Sequence, residues 1–178
     1  MEDQKRNILI TKEEIDVEVH RLGQEINEHY KGKKLYVLAL LRGSFIFAAD
    51  LVRAIDIPVK IGFMTTASYG NAEHSSGNVE VVNDVADSIE GYDVLVVDDI
   101  IDTGYTMGFV LNHVKNKGAK SVQCCTLLDK PSRRKVDNLD PDFCGFTIED
   151  LFVVGYGLNY GDYHRNVPYI FNFEEKAE

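Results

Sequence analysis

Apolar positions in this chain follow two spacings that take turns along its length. Ile15, Val19, Leu22 and Ile26 recur every three or four residues behind Thr11-Lys12-Glu13-Glu14, a capping box, so residues 12–29 are predicted as an amphipathic helix. Leu35 to Leu41 is instead an unbroken apolar run, as expected of a strand covered on both faces. Arg42-Gly43-Ser44 punctuates that run, and helical spacing returns from Phe45 to Ile55. Pro58 to Thr66 reads as another strand, after which the chain from Ala67 to Ser76 has no period at all, and Val79 to Val82 reads as a short closing strand. Val94 to Ile100 is a second buried run, with the exposed strand edge expected where its carboxylates begin. Residues 105–117 form a helical pattern with Met107, Val110, Leu111 and Val114 on one face and Gly118 as its stop, and Ser121 to Leu128 is the next buried strand.

The tail differs. Phe143 to Ile148, Phe152 to Tyr160 and Val167 to Phe173 are aromatic and β-branched, which predicts short strands and turns without a helix. Alternating strands and helices through residue 128 predict an α/β fold, a right-handed parallel twisted sheet flanked by helices. A single domain spanning 1–178 is expected, with a small hood built mainly from the N-terminus and about 143–178. A long aperiodic loop in a compact domain is usually functional, so 67–80 is expected to be a mobile lid.

Composition narrows the class. No apolar run approaches the roughly 20 residues a membrane span needs, and the polar Met1-Glu2-Asp3-Gln4-Lys5 start has no signal-peptide character. The three cysteines, Cys124, Cys125 and Cys144, lack zinc spacing, and Cys124-Cys125 lies inside an apolar run, as reduced core thiols do. A cytoplasmic protein is therefore expected. A formal net charge of −10 argues against a nucleic-acid partner but not against small phosphates, which local backbone dipoles, a cation and a few basic side chains can hold.

Chemistry concentrates at Val94-Leu95-Val96-Val97-Asp98-Asp99-Ile100-Ile101-Asp102-Thr103-Gly104-Tyr105-Thr106. In open α/β sheets ligands collect at the carboxyl edge of the strands. The Thr-Gly-x-Thr turn offers hydroxyls and backbone N–H groups at a helix start, which suits a phosphate. The acidic pair upstream suits hydroxyls or hydrated Mg²⁺. A turn-and-cap cluster with Asp102 as N-cap accounts for that one carboxylate but not for Asp98 and Asp99, one on each face of the strand end. The motif of a Walker A loop is missing, Gly155-Tyr156-Gly157 opens no helix, and the five histidines are scattered without metal-ligand spacing. The basic loop Asp129 to Lys135 reads equally as a solvated turn or as part of the site, since Lys130 comes off a strand end on the same edge as Asp102.

The segment from Val94 to Thr106 resembles the phosphoribosyl-pyrophosphate motif of type I phosphoribosyltransferases. Leu41-Arg42-Gly43-Ser44, Ser68-Tyr69, Lys130 and Phe152-Val153-Val154-Gly155-Tyr156 extend the resemblance toward members acting on hypoxanthine and guanine, over about residues 10–170. The resemblance implies that Asp98 and Asp99 engage ribose hydroxyls and the Mg²⁺ shell, and that Asp102 contacts purine N7 as general acid/base. It implies that Asp102, Thr103, Gly104, Tyr105 and Thr106 wrap the 5′-phosphate, and that Leu41, Arg42 and Gly43 form a pyrophosphate loop, often with a cis peptide between its first two residues. Lys130 would donate to the 6-oxo group, Phe152 stack on the base, Val153 meet its edge through the backbone, and Arg165 lie near the pyrophosphate, with Ser68 and Tyr69 in the mobile loop. Asp98 replaces the usual Glu, Tyr105 stands where Lys is frequent, and Asn159 stands where many members carry an Asp that helps hold a second Mg²⁺. The implied reaction joins hypoxanthine, and also guanine, to phosphoribosyl pyrophosphate in a homodimer or homotetramer. A non-catalytic sensor of the same sugar phosphate is the rival expectation; it would want a basic face and could dispense with Asp102, Lys130 and Phe152.

Overall fold

The computed structural model describes residues 5–68 and 79–174. Its main layer is a six-stranded sheet in the order β4-β3-β2-β5-β6-β7, comprising β2 (Leu35–Leu41), β3 (Val59–Ser68), β4 (Val79–Asn83), β5 (Asp93–Ile101), β6 (Ser121–Asp129) and β7 (Phe143–Thr147). All neighbours run parallel except the edge pair β3–β4. The unbroken apolar runs have the expected cause. In β2, Leu35, Val37 and Ala39 pack toward α1 (Lys12–His29) and α2 (Phe45–Arg53), while Tyr36, Leu38 and Leu40 pack toward α3 (Tyr105–Asn116). Both faces are covered, so neither can be polar.

The α1 capping box forms as the sequence predicts, Thr11 and Glu14 exchanging side-chain and backbone bonds, and Gly118 follows the end of α3 at φ +89°. Two expectations need correction. β5 does not stop at its carboxylates but runs through Asp98 and Asp99 to Ile101, its pairing with β6 continuing to Asp129. Residues 143–147 belong to the main sheet, as β7 beside β6, and not to the hood. The second sheet is smaller: β1 (Arg6–Ile10) pairs antiparallel with β8 (Ile170–Phe173), and Val154 bridges to Phe171. Among the described residues no helix is long and apolar enough to cross a membrane.

The order of strands places the site. From β2 the chain crosses through α2 to β3 on one side; from β5 it crosses through α3 to β6 on the other. The carboxyl ends of β2 and β5 therefore flank a topological switch point, where a crevice opens because the two crossovers diverge.

Candidate active site

At the end of β5 the chain turns through Asp102 and Thr103 to Gly104, the N-cap of α3, which sits at φ +87° and makes no side-chain cap bond. Asp102 is thus not the cap. The N–H groups of Thr103, Gly104, Tyr105 and Thr106 meet no backbone acceptor among the described residues, as expected of a helix start. They edge a cavity of about 90 Å³ lined by Asp98, Asp102, Thr103, Gly104 and Thr106. The loop after β6 laces this turn in place, for Lys130 N–H donates to the Ile101 carbonyl and Lys135 N–H to the Thr103 carbonyl, both at 2.9 Å.

Asp98 and Asp99 are half-buried neighbours near the end of β5. Asp98 lines the phosphate-loop cavity, whereas Asp99 lies against Gly43 across the switch point. The Asp99 N–H donates to Asp98 Oδ1 at 3.0 Å. Burial, and then the charge of Asp99, hold the Asp98 carboxyl well above the ordinary carboxylate range. Burial also raises Asp99, opposed by hydrogen bonding from Asp98 and by the Arg165 guanidinium. Two carboxylates held this close favour capture of a proton or a cation.

Opposite them, the Leu41-Arg42 peptide is cis, as the resemblance implies, and Arg42 is exposed. A Cβ at position 43 would overlap the Asp99 carboxylate, and one at position 157 would overlap the Gly43 carbonyl. Strand β2, strand β5 and the 155–158 turn therefore meet with no room for a side chain. Gly157 also sits at φ +105°, a conformation L-residues rarely adopt. Arg165 Nη1 donates to the Gly157 carbonyl at 2.6 Å, and Tyr156 Oη donates to Asp50 at 2.5 Å, anchoring this turn on α2.

The base side is built differently. Lys130 comes directly off β6, is only 6% exposed, and donates through Nζ to the Leu151 carbonyl at 2.6 Å. Phe152 is 63% exposed and meets Tyr160 edge-on at 5.9 Å. Val153 is buried, yet its N–H and carbonyl have no hydrogen-bond partner among the described residues. An exposed ring, a free peptide edge and a buried ammonium suit a flat heterocycle carrying an oxo group.

Asn159 is exposed and turns its amide onto the Gly161 carbonyl at 2.5 Å. Ser68 ends β3, paired with Val79; Tyr69 and the expected lid as far as residue 78 lie outside the described residues. Two further residues, Arg133 and Arg134, were not singled out by sequence reasoning. Arg133 Nε donates to Asp102 Oδ1 at 3.0 Å and its Nη1 to Asp150 Oδ2 at 3.4 Å. Arg134 pairs with Asp129, donates to the Leu139 carbonyl at 2.8 Å, and packs where a side chain on Gly104 would have to go. Only the density of basic residues in that loop signalled them.

The phosphoribosyl transferase domain family matches residues 7–161, and the chain belongs to that family. Within it, the chain is 47% identical over 165 residues to the hypoxanthine phosphoribosyltransferase of Buchnera aphidicola, covering 92% of this chain and 93% of that one. It is 44% identical to the hypoxanthine-guanine phosphoribosyltransferase of Bacillus subtilis, covering 92% and 90%. Among solved structures, a hypoxanthine phosphoribosyltransferase from Staphylococcus aureus superposes with a TM-score of 0.91 at 39% identity, covering 97% of this chain and 92% of that one.

Proposed function

We propose that this protein is a purine-salvage transferase that joins hypoxanthine, and also guanine, to phosphoribosyl pyrophosphate, releasing pyrophosphate and the nucleoside 5′-monophosphate. The observation that carries this reading is one edge bearing both an open phosphate loop at Gly104 and a buried Lys130 beside the free peptide groups of Val153. Relatives named as transferases, matched over nearly their whole length, support catalysis and lend nothing to a non-catalytic sensor.

In this reading the N–H groups of residues 103–106 hold the 5′-phosphate at the positive end of α3. Asp98 and Asp99 face the ribose hydroxyls, and in their ionised form they favour the oxocarbenium charge that grows on the sugar as its C1–O bond breaks. Negative charge grows on the leaving pyrophosphate, where Arg42, Arg165 and the peptide at Gly43 stand ready. As purine N9 bonds to C1, the proton at N7 becomes acidic, and Asp102, which lines the same cavity as the phosphate loop, accepts it in this reading. Lys130 selects an oxo group at purine C6, since a 6-amino purine offers no acceptor to the ammonium N–H left over from the bond to the Leu151 carbonyl.

Magnesium belongs to the same proposal. The donor set fits: no cluster of three or more acidic, His or Cys ligands occurs among the described residues, but two adjacent carboxylates do. Mg²⁺ is commonly bound by one or two carboxylates with substrate phosphates supplying the rest. When bound through Asp98 and Asp99, the ion would supply charge neutralisation for the pyrophosphate. Asn159, a neutral amide engaged with Gly161, offers little toward a second ion. A cytoplasmic homodimer or homotetramer completes the proposal. The expected cover over 67–80 is part of it as well.

The test is a spectrophotometric assay of the purified protein with Mg²⁺, phosphoribosyl pyrophosphate and each of hypoxanthine, guanine, xanthine and adenine in turn. Nucleotide is expected with hypoxanthine and guanine and not with adenine. Equal turnover of adenine would refute the role given to Lys130, and no turnover of any base would refute the reading.

A further inference from the structure

Arg133 is placed oddly for an ordinary surface arginine. It sits in the short turn Pro131–Arg133 whose first N–H···O bond, from Arg133 to the Lys130 carbonyl, spans 3.1 Å. Lys130 N–H is itself tied to the Ile101 carbonyl at 2.9 Å, one residue before Asp102. The guanidinium then reaches back across this turn. Its Nε meets Asp102 Oδ1 at 3.0 Å, while Nη1 meets Asp150 Oδ2 at 3.4 Å. The other oxygen of Asp150 lies 3.8 Å from Lys130 Nζ. Among the described residues nothing bonds Asp102 Oδ2.

As a stabilising device this arrangement is poor. Side-chain exposures of 40% for Arg133, 38% for Asp102 and 50% for Asp150 leave both ion pairs open to water, where such pairs contribute little. As a positioning device it is apt. A guanidinium is planar and its donors are fixed in a fork, so engaging Asp150 sets the plane in which Asp102 Oδ1 must lie. With Oδ1 taken, a single oxygen of Asp102 is left for the substrate.

We propose that Arg133, held by Asp150, is a positioning residue for the proton-accepting Asp102, and that this bridge ties the orientation of Asp102 to the turn that carries Lys130. The proposal rests on the transferase reading above. Asp102 remains the group that takes the proton; Arg133 acts through it and touches neither base nor sugar. Because Lys130 and Arg133 share one turn, and Asp150 faces both, the group that recognises the base and the group that relieves it of a proton move as one unit.

The test compares Arg133→Ala, Arg133→Lys and Asp150→Ala with the parent protein in hypoxanthine turnover, with and without millimolar guanidinium. A misdirected acid/base group lowers kcat and spares substrate binding, so Arg133→Ala is expected to lose about tenfold or more in kcat with KM values held within about threefold. Arg133→Lys keeps the charge but loses the fork, and is expected to stay nearly as slow. Asp150→Ala is expected to lose less, and to add nothing further when combined with Arg133→Ala, because both remove one linkage. Free guanidinium is expected to restore part of the lost kcat to Arg133→Ala and to leave the parent unchanged. A merely structural arginine would show neither the rescue nor the separation of kcat from KM. Retention of kcat by Arg133→Ala within about twofold, or a loss that guanidinium does not touch, overturns the proposal. Failure of the parent to form nucleotide is a separate result, seen before any variant is compared, and it overturns the transferase reading.

Discussion

Asp102 and Lys130 divide the chemistry of the site between two side chains with opposite surroundings. Asp102 is partly exposed at the mouth of the phosphate-loop cavity, whereas Lys130 is buried, its ammonium held against the Leu151 carbonyl. Asp102→Asn keeps shape and hydrogen bonding but cannot accept a proton. It is expected to cut kcat by ~10² or more while changing the KM for phosphoribosyl pyrophosphate little, as general-base removal does. Steady-state kinetics checks this, and unchanged kcat would remove Asp102 from proton transfer. The local pattern alone read Asp102 as a helix cap and left Lys130 between a solvated turn and the site; the roles given to both came from the family resemblance, carried by residues along the whole chain. Arg133 was not legible. Its significance lies in a contact across 31 positions of sequence, and a basic loop by itself reads as well for solvent as for a site.

Between elements, the decisive feature is the convergence of the β2 loop, the end of β5 and the 155–158 turn. Gly43 leaves room for the Asp99 carboxylate, and Gly157 leaves room for the Gly43 carbonyl. Gly43→Ala is therefore expected to push the Asp99 side chain or the pyrophosphate loop out of place and to raise the KM for phosphoribosyl pyrophosphate by about tenfold or more, a geometric disturbance at the reacting end of the substrate. The KM for hypoxanthine, read on the Lys130 side, is expected to change less; equal losses for both substrates would mean the loop is not specific to pyrophosphate. Strands β2, β5 and β6 were readable because burial on both faces forces an unbroken apolar run. The tail was not readable to the same degree. Phe143 to Thr147 has the same aromatic, β-branched character as the segments that build the hood, and only its pairing with β6 assigns it to the main sheet. The β1–β8 pair joins residues 160 or more positions apart, which no local pattern encodes.

At the scale of the whole molecule, the site stands against the stability of the fold that carries it. The sheet would be better satisfied by apolar residues at the end of β5; it holds Asp98 and Asp99 side by side instead, partly withdrawn from water. Asp98 binds its proton more tightly in the folded chain than in the unfolded one, because burial and the charge of Asp99 oppose its ionisation. Stability contributed by this group is therefore lost as pH rises, from the unfolded carboxylate range near about 4 through the raised folded value, and the penalty persists above that value. Asp98→Asn removes the titrating charge and keeps nearly the same volume. Without divalent cations it is expected to melt a few degrees above the parent at pH 8, with the advantage shrinking as pH falls through the raised folded value and gone well below about 4, where the parent carboxyl is protonated in both states. Added Mg²⁺ together with pyrophosphate is expected to raise the melting temperature of the parent more than that of the variant, since a ligand stabilises whichever protein binds it more tightly. Differential scanning fluorimetry across these conditions checks both expectations. A variant that melts below the parent at pH 8 without metal would show that the carboxylate pair supports the fold, and would separate the acidic strand end from the energetic conflict that marks it as a binding site.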